Sequence, residues 1–107
     1  MKPAAEALRN KLESVDFAAP KIPVLNNIDV QIETEPARIR DALVRQAAGP
    51  VRWVESVQAL QAHGIDTVVE CGPGRVLAGM SKRIVPDLEA AAIYDPATLA
   101  ATKQLLA

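Results

Sequence analysis

The sequence is poor in aromatic residues, and this limits how its core can be built. Phe17, Trp53 and Tyr94 are the only aromatic residues among 107, although half of the residues are apolar. The core must therefore consist of valine, leucine, isoleucine and alanine, a composition that suits helices packed on a buried sheet. The length allows one domain, or part of a larger one.

Three further absences exclude classes of protein. The net charge is −1 and no long run of one sign occurs, which argues against nucleic-acid binding, since that requires a basic face to neutralise phosphates. The single cysteine, Cys71, excludes an internal disulfide and fits a reducing cytosol. No apolar run approaches the roughly 18–20 residues that span a bilayer, and the N-terminus does not resemble a signal peptide. We expect a cytoplasmic protein with no membrane partner.

Hydrophobic spacing and breaker residues predict five helices and three short strands, in the order α-β-α-α-β-α-β-α. Strands that alternate with helices indicate a parallel sheet. Three short strands are few for five helices, so we interpret the chain as part of a larger sheet. The residues expected to face inward from the helices are Leu8, Leu12 and Val15; Ile39, Ala42, Leu43 and Ala47; Trp53, Val54, Val57 and Leu60; Leu77, Met80 and Ile84; and Leu99, Leu105 and Leu106.

The strands are predicted at residues 24–25, 67–70 and 91–94, and residues 28–32 can continue the first one in extended form. The second strand runs into a glycine-rich turn, Glu70-Cys71-Gly72-Pro73-Gly74, which precedes a helix. A helix N-terminus can bind phosphate, but Leu77 stands where a dinucleotide loop needs glycine and Met80 where a P-loop needs lysine. We interpret the segment as a tight strand-to-helix turn at the edge of the sheet where α/β proteins bind ligands.

No self-contained active site can be recognised in the sequence. His63, the only histidine, is expected in solvent at a helix end, and no serine lies in a nucleophile elbow. Cys71 is expected to be a small packing residue, and no histidine and cysteine have metal-ligand spacing. Lys82 and Arg83 suit the C-terminal end of a helix dipole, or an acidic protein partner. The residues alone leave the function open.

Five segments taken together are more specific than any of them is alone. They are residues 22–29 (IPVLNNID), 41–46 (DALVRQ), 50–53 (PVRW), 70–79 (ECGPGRVLAG) and 82–84 (KRI). In order and spacing these segments resemble the C-terminal third of the malonyl-CoA:acyl carrier protein transacylases of bacterial fatty acid synthesis. Residues 1–4 also resemble the helix that follows that family's catalytic histidine.

The resemblance implies a fold and a reaction. The expected fold is part of an α/β-hydrolase-like parallel sheet with flanking helices, with residues 1–107 forming one incomplete domain, the C-terminal portion of the acyltransferase large domain. In the family, a serine takes malonyl from malonyl-CoA with a histidine as base, and passes it to the phosphopantetheine thiol of acyl carrier protein. The expected partners are the carrier protein, malonyl-CoA and the N-terminal remainder of the enzyme. No cofactor or metal is expected, because phosphopantetheine belongs to the carrier protein.

Carried over residue by residue, the resemblance leaves only supporting positions in this chain. Gln46 matches the position whose backbone carbonyl accepts a hydrogen bond from the catalytic histidine. Val76 matches an apolar position near the acyl pocket, and Asn26 closes a strand beside the site. Lys82 and Arg83 are candidate contacts for the carrier protein. The serine, the histidine and the carboxylate-binding arginine are expected upstream of Met1, so the chain alone should be inactive.

Two alternatives remain open. One is an acyltransferase domain of a polyketide synthase, although residues 26–29 and 82–84 favour the stand-alone enzyme. The other is a small non-enzymatic α/β binding module. A cooperative unfolding transition of residues 1–107 alone would favour the module, whereas a molten or aggregated product would favour the fragment.

Overall fold

The computed structural model describes residues 2–107 as two compact units. The first unit ends at Ser56 and the second begins at Val57. In chain order the elements are α1 (Lys2–Leu12), α2 (Pro36–Ala48), α3 (Trp53–Ala62), β1 (Thr67–Cys71), α4 (Val76–Ile84), β2 (Glu89–Ile93) and α5 (Pro96–Leu106). The prediction of an α/β chain with a parallel sheet is confirmed.

The first unit is built from α1 packed against α2. Ala5, Leu12 and Val44 form its buried apolar cluster, with Leu8 and Phe17 packed around it. The predicted inward face of α1 is therefore correct for Leu8 and Leu12. It is wrong for Val15, because the helix ends at Leu12 and Val15 lies in the following turn, 36% exposed.

Prolines and a glycine set the ends of α2, as the sequence predicts. Pro36 takes the first helical position, where a backbone N–H would have no partner within the helix and is not needed. The helix ends before Gly49, whose extended backbone fits the restriction that Pro50 places on the residue before it. Its buried face is Ala42 and Val44. The expected Leu43 is 38% exposed, so that part of the predicted face is wrong.

The predicted first strand is absent from the described residues. Leu25 makes one isolated antiparallel bridge with Ile32, and the chain turns between them. The reason is local, because the Asn26 side-chain oxygen accepts a hydrogen bond from the backbone N–H of Asp29 at 2.8 Å. Asparagine side chains compete with ladder pairing in this way and so favour turns. Val30 follows with φ of 57°, in the left-handed region that a β-branched residue seldom adopts.

The second unit is a β-α-β arrangement with a further helix. β1 and β2 pair in parallel from Thr67 opposite Glu89 to Cys71 opposite Ile93. α4 connects the two strands and packs on both, and α5 packs on β2. The buried apolar side chains of this unit are Val57, Ala78, Val85 and Leu88.

The outer helices of the second unit show where the predicted inward faces are wrong. In α4 the buried residues are Ala78 and Ser81, and Leu77 is exposed. In α5 only Thr102 is buried. The sequence places Leu99, Leu105 and Leu106 inward, but all three are exposed. Apolar side chains on these helices thus lie outside the small core that the described residues build. No helix within residues 2–107 combines the length and the apolar character needed to cross a membrane.

Candidate functional site

A cavity of about 270 Å³ in the first unit brings together two of the residues that the sequence singles out. Asn26 reaches it from the turn after Leu25, and Gln46 from the last turn of α2. The remaining wall is mostly apolar. It consists of Pro20, Val24, Leu25, Asn27, Glu33, Ile39, Ala42 and Leu43.

The carbonyl of Gln46 has no hydrogen-bond donor among the residues that the structure describes. The last carbonyls of a helix have no partner inside it, and the residue four positions on is Pro50, which has no N–H to offer. The extended backbone at Gly49 carries the chain away from the helix axis at this point. No hydrogen bond to this carbonyl is found among residues 2–107. The structure therefore leaves unoccupied the backbone acceptor that the family resemblance assigns to Gln46.

Asn26 holds the turn through its backbone N–H and its side-chain oxygen. Its backbone N–H donates to the Gln31 carbonyl at 2.9 Å, and its Oδ1 accepts from the Asp29 N–H. The expectation that Asn26 closes a strand is wrong, since the segment is a turn. Its assignment to substrate binding remains a prediction, now supported only by its position in the wall of the cavity.

Arg45, which the sequence analysis did not single out, holds the turn against α2. Its Nη1 and Nη2 donate to the two carboxylate oxygens of Asp29 at 2.8 and 2.7 Å, and its Nε donates to Asp41 at 2.8 Å. The hydrogen bonds that Arg45 donates to Asp29 lower the pKa of the Asp29 carboxyl, and they are the largest cause of the raised pKa of Arg45. The spacing of four between Asp41 and Arg45 is visible in the sequence. The pairing with Asp29, sixteen residues away, is not.

The glycine-rich turn lies in the second unit, between β1 and α4. Gly72 donates its backbone N–H to the Ile93 carbonyl at 2.7 Å. The Glu70 carboxylate accepts from the backbone N–H of Ala78 at 2.9 Å, in the first turn of α4. A carboxylate from the preceding strand therefore occupies the place where a phosphate would bind, since both favour the positive end of a helix. This geometry supports the interpretation as a structural turn and argues against a phosphate-binding loop.

The other candidate residues of the second unit are exposed. Val76 is the first residue of α4 and is 68% exposed. Lys82 and Arg83 lie exposed in the last turn of α4, and no salt bridge involves them within the described part of the chain. Lys82 also borders a shallow depression of about 510 Å³. Cys71 is exposed at the end of β1, so its expected role in packing is wrong.

Residues that could be mistaken for catalytic groups are accounted for by local bonds. His63 is exposed, and its Nδ1 lies 2.8 Å from the Ala59 carbonyl of its own helix, as expected for a helix end. The hydroxyls of Ser56 and Ser81 donate to carbonyls four residues earlier, at 2.7 and 2.8 Å. Among residues 2–107 no three histidine, cysteine or acidic side chains lie close enough to hold a metal ion.

Comparison with known proteins finds similar sequences along almost the whole chain. A malonyl CoA-acyl carrier protein transacylase of Salmonella typhimurium is 52% identical over 101 residues, which are 94% of this chain and 33% of that protein. The chain is a homologue of the malonyl CoA-acyl carrier protein transacylases. It spans about a third of the length of these relatives. The resemblance predicted from the five sequence segments is thereby confirmed, and no protein-family model matches the chain.

Solved structures of malonyltransferases share the fold. An acyl-carrier-protein S-malonyltransferase from Burkholderia pseudomallei superimposes with a TM-score of 0.92 at 56% identity, over 96% of this chain and 34% of that one. A malonyl-transacylase solved in complex with its type II PKS acyl-carrier protein superimposes with a TM-score of 0.93 at 48% identity, over 98% of this chain and 34% of that one. The two-stranded parallel sheet and its helices are therefore an α/β arrangement found within transacylase structures.

Proposed function

We propose that this chain is the C-terminal portion of a malonyl-CoA:acyl carrier protein transacylase, and that the intact enzyme moves malonyl groups from coenzyme A to the carrier protein. The observation that carries the proposal is the close match to malonyltransferases in both sequence and fold. The match extends along nearly all of this chain and covers about a third of the length of those proteins. As in the family, the nucleophilic serine and the histidine base lie in the remainder of the enzyme. The reaction uses no cofactor, and its location is the cytoplasm.

The contribution of this chain to the chemistry is orientation of the base. The Gln46 carbonyl accepts the Nδ1–H of the histidine, which fixes the tautomer and leaves Nε2 free to take the serine proton. A backbone carbonyl suits this task because it is held by a helix and carries no proton of its own. The support is that the Gln46 carbonyl has no other hydrogen bond among the described residues. It lies at the end of α2, where Arg45 before it and Gly49 after it both contact the turn that contains Asp29.

The rest of the enzyme is also needed to complete the domain. In the first unit Ile22, Val24 and Val51 are 75%, 64% and 62% exposed, and in the second Val76 and Leu106 are 68% and 61% exposed. Burial of one such side chain stabilises a fold by about 1.5–3 kcal/mol. A chain that leaves many apolar side chains exposed to water lacks the stabilisation that their burial would give. We therefore assign residues 1–107 to one incomplete domain whose exposed apolar surface the N-terminal remainder covers.

Acyl carrier protein is the proposed partner, as in the transacylase complex named above. Lys82 and Arg83 offer two exposed cations for an acidic partner. Charge reversal, Lys82→Glu with Arg83→Glu, should slow transfer to the carrier protein at least about tenfold and leave acylation of the serine by malonyl-CoA unchanged. The matched control is Arg9→Glu with Lys11→Glu, which reverses two cations at the end of α1. Equal rates for both half-reactions in the 82/83 variant would end the carrier-protein assignment.

The function itself is tested with the intact protein that contains this chain. Purified enzyme should transfer labelled malonyl from malonyl-CoA to holo-acyl carrier protein, and residues 1–107 alone should not. An intact enzyme with no transfer would refute the proposal. Preference for the carrier protein of a polyketide synthase would favour the first alternative. A sharp, cooperative unfolding transition of the isolated chain would favour the binding module, whereas we expect a broad transition or aggregation.

A further inference from the structure

Arg45 directly precedes Gln46 in the chain. Among the described residues of the first unit, its side chain donates the most hydrogen bonds. Arg45 donates three charge-assisted bonds, two to the carboxylate of Asp29 and one to that of Asp41. The pair with Asp29 is bidentate, a geometry that fixes orientation as well as distance. Asp41 lies on α2 itself, whereas Asp29 lies in the turn beside it. The guanidinium therefore ties the last turn of α2 to a different segment of the chain.

The segment that carries Asp29 is itself held in one conformation. Asn26 accepts from the Asp29 N–H, and the Asn27 carbonyl accepts from the Arg52 N–H at 3.0 Å. Val30, at the end of the turn, has φ of 57°. A β-branched residue persists in this region only where the surroundings impose it. The turn between residues 26 and 30 is thus held by hydrogen bonds other than those of Arg45.

The same turn also contacts the chain just after Gln46, at Gly49. A Cβ on Gly49 would collide with the side chain of Ile28, so the turn packs directly against the end of α2. Gln46 therefore lies between two points of attachment, the Arg45 guanidinium before it and the Gly49 contact after it. Both attachments lead to the turn that contains Asp29.

We propose that Arg45, through its fork with Asp29, is a positioning residue for the Gln46 carbonyl and hence for the histidine of the intact enzyme. The inference rests on the proposed function. It assigns to a salt bridge on the surface of the first unit a role in the geometry of the reaction. Without the fork, the end of α2 keeps the packing of Ala47 on the apolar cluster, the Gly49 contact and the bond from Arg52. It loses its charge-assisted bonds to the turn, and the carbonyl samples a wider range of directions.

The expected effect follows from the hydrogen bond that the histidine loses. In the intact enzyme, Arg45→Met should lower kcat about tenfold, with KM for malonyl-CoA changed less than about twofold, since a misplacement of 1 Å can cost about a hundredfold. An acceptor on Nδ1–H stabilises the protonated imidazole, so its loss should move the acidic limb of the kcat/KM profile to lower pH. Lysine cannot form the fork, and Arg45→Lys should not restore activity.

A second variant separates positioning from simple electrostatics. The charged groups around the fork are Asp29, Asp41 and Arg52. Loss of the positive charge in Arg45→Met and loss of the negative charge in Asp29→Asn would by themselves move the histidine pKa in opposite directions. Positioning predicts that both variants shift the acidic limb to lower pH. It also predicts that the double variant is no worse than either single one, because both remove the same interaction.

The matched control is Arg38→Met, which removes a cation of the same helix paired with Glu33 at 3.6 Å. It should leave kcat and the pH profile unchanged. Rates are compared below the unfolding temperature of every variant, so that lost stability does not count as lost activity. The inference would be overturned if Arg45→Met or Asp29→Asn had the same kcat and the same acidic limb as Arg38→Met. An intact wild-type enzyme that transfers no malonyl would instead refute the proposed function, and this inference with it.

Discussion

Gly72 lies where the chain has no room for a side chain, and replacement by alanine tests the packing of the second unit. A Cβ at this position would lie 2.7 Å from the carbonyl oxygen of Ile93 and 2.8 Å from the Cβ of Tyr94, whereas ordinary contact begins at 3.4 Å. Both obstacles are fixed to the backbone of the neighbouring segment. The backbone N–H of Gly72 also donates to that same Ile93 carbonyl. Gly72→Ala can therefore be accommodated only if the two segments separate.

The structure gives both the size of the effect and its controls. Separation opens the end of the parallel ladder, where Cys71 is opposite Ile93. Forced overpacking of this kind costs about 1–3 kcal/mol. Gly74 and Gly79 have nothing within 4 Å of an added Cβ. Gly79→Ala should stabilise the enzyme by about 0.5–1 kcal/mol, because Gly79 is inside α4 and alanine loses less backbone entropy there.

The assay is urea unfolding of the intact enzyme with each of the three substitutions. We expect the free energy of unfolding to fall for Gly72→Ala, to change little for Gly74→Ala and to rise for Gly79→Ala. A Gly72→Ala enzyme within about 0.5 kcal/mol of the Gly74→Ala enzyme, the range of a neutral surface substitution, would refute the argument from close approach.

Two further predictions concern the carboxylates at helix N-termini. Glu70→Ala leaves the Ala78 N–H without its acceptor and should lower the free energy of unfolding by about 1 kcal/mol. Glu70→Gln keeps an acceptor oxygen and should lower that free energy less. Equal losses in the two variants would contradict this role. The hydrogen bond from the Thr98 N–H lowers the pKa of Asp95 below the ordinary aspartate value of 3.8. The cap therefore stabilises the fold above that value and is lost as the pH falls through the lower folded-state pKa. From neutral to acidic pH, the free energy of unfolding should fall more steeply in the wild type than in Asp95→Asn. Parallel pH profiles of the two proteins would contradict this role of Asp95.

The sequence determined the elements whose limits depend on near neighbours. Pro36 and the Gly49-Pro50 pair place both ends of α2, and Gly64, with φ of 85°, follows the end of α3 as a glycine in the left-handed region does. The strand that begins at Thr67 is rich in β-branched residues and was found within one residue of its predicted limits. The family resemblance was also available from the sequence, because it depends on the order and spacing of motifs.

Only the tertiary structure decided which partners these elements take. Val24 and Leu25 have the composition of a strand, but strand formation requires a neighbour, and the Asn26 turn takes the chain elsewhere. Leu105 and Leu106 have the composition of a buried helix face, but burial requires an opposing surface, and the described residues leave both exposed. Local composition fixes what a segment can do, while pairing and burial depend on what lies next to it.

The same distinction applies to the candidate site. Pro50 in the sequence removes the helical donor of the Gln46 carbonyl, because a proline four residues on has no N–H to donate. The fork between Arg45 and Asp29 joins residues sixteen positions apart, and only the folded turn brings their side chains within 2.8 Å. The sequence by itself therefore determined the family resemblance, both ends of α2 and the missing N–H at Pro50. The tertiary structure decided how that acceptor is held, because charge pairs between distant segments form only when the chain has folded.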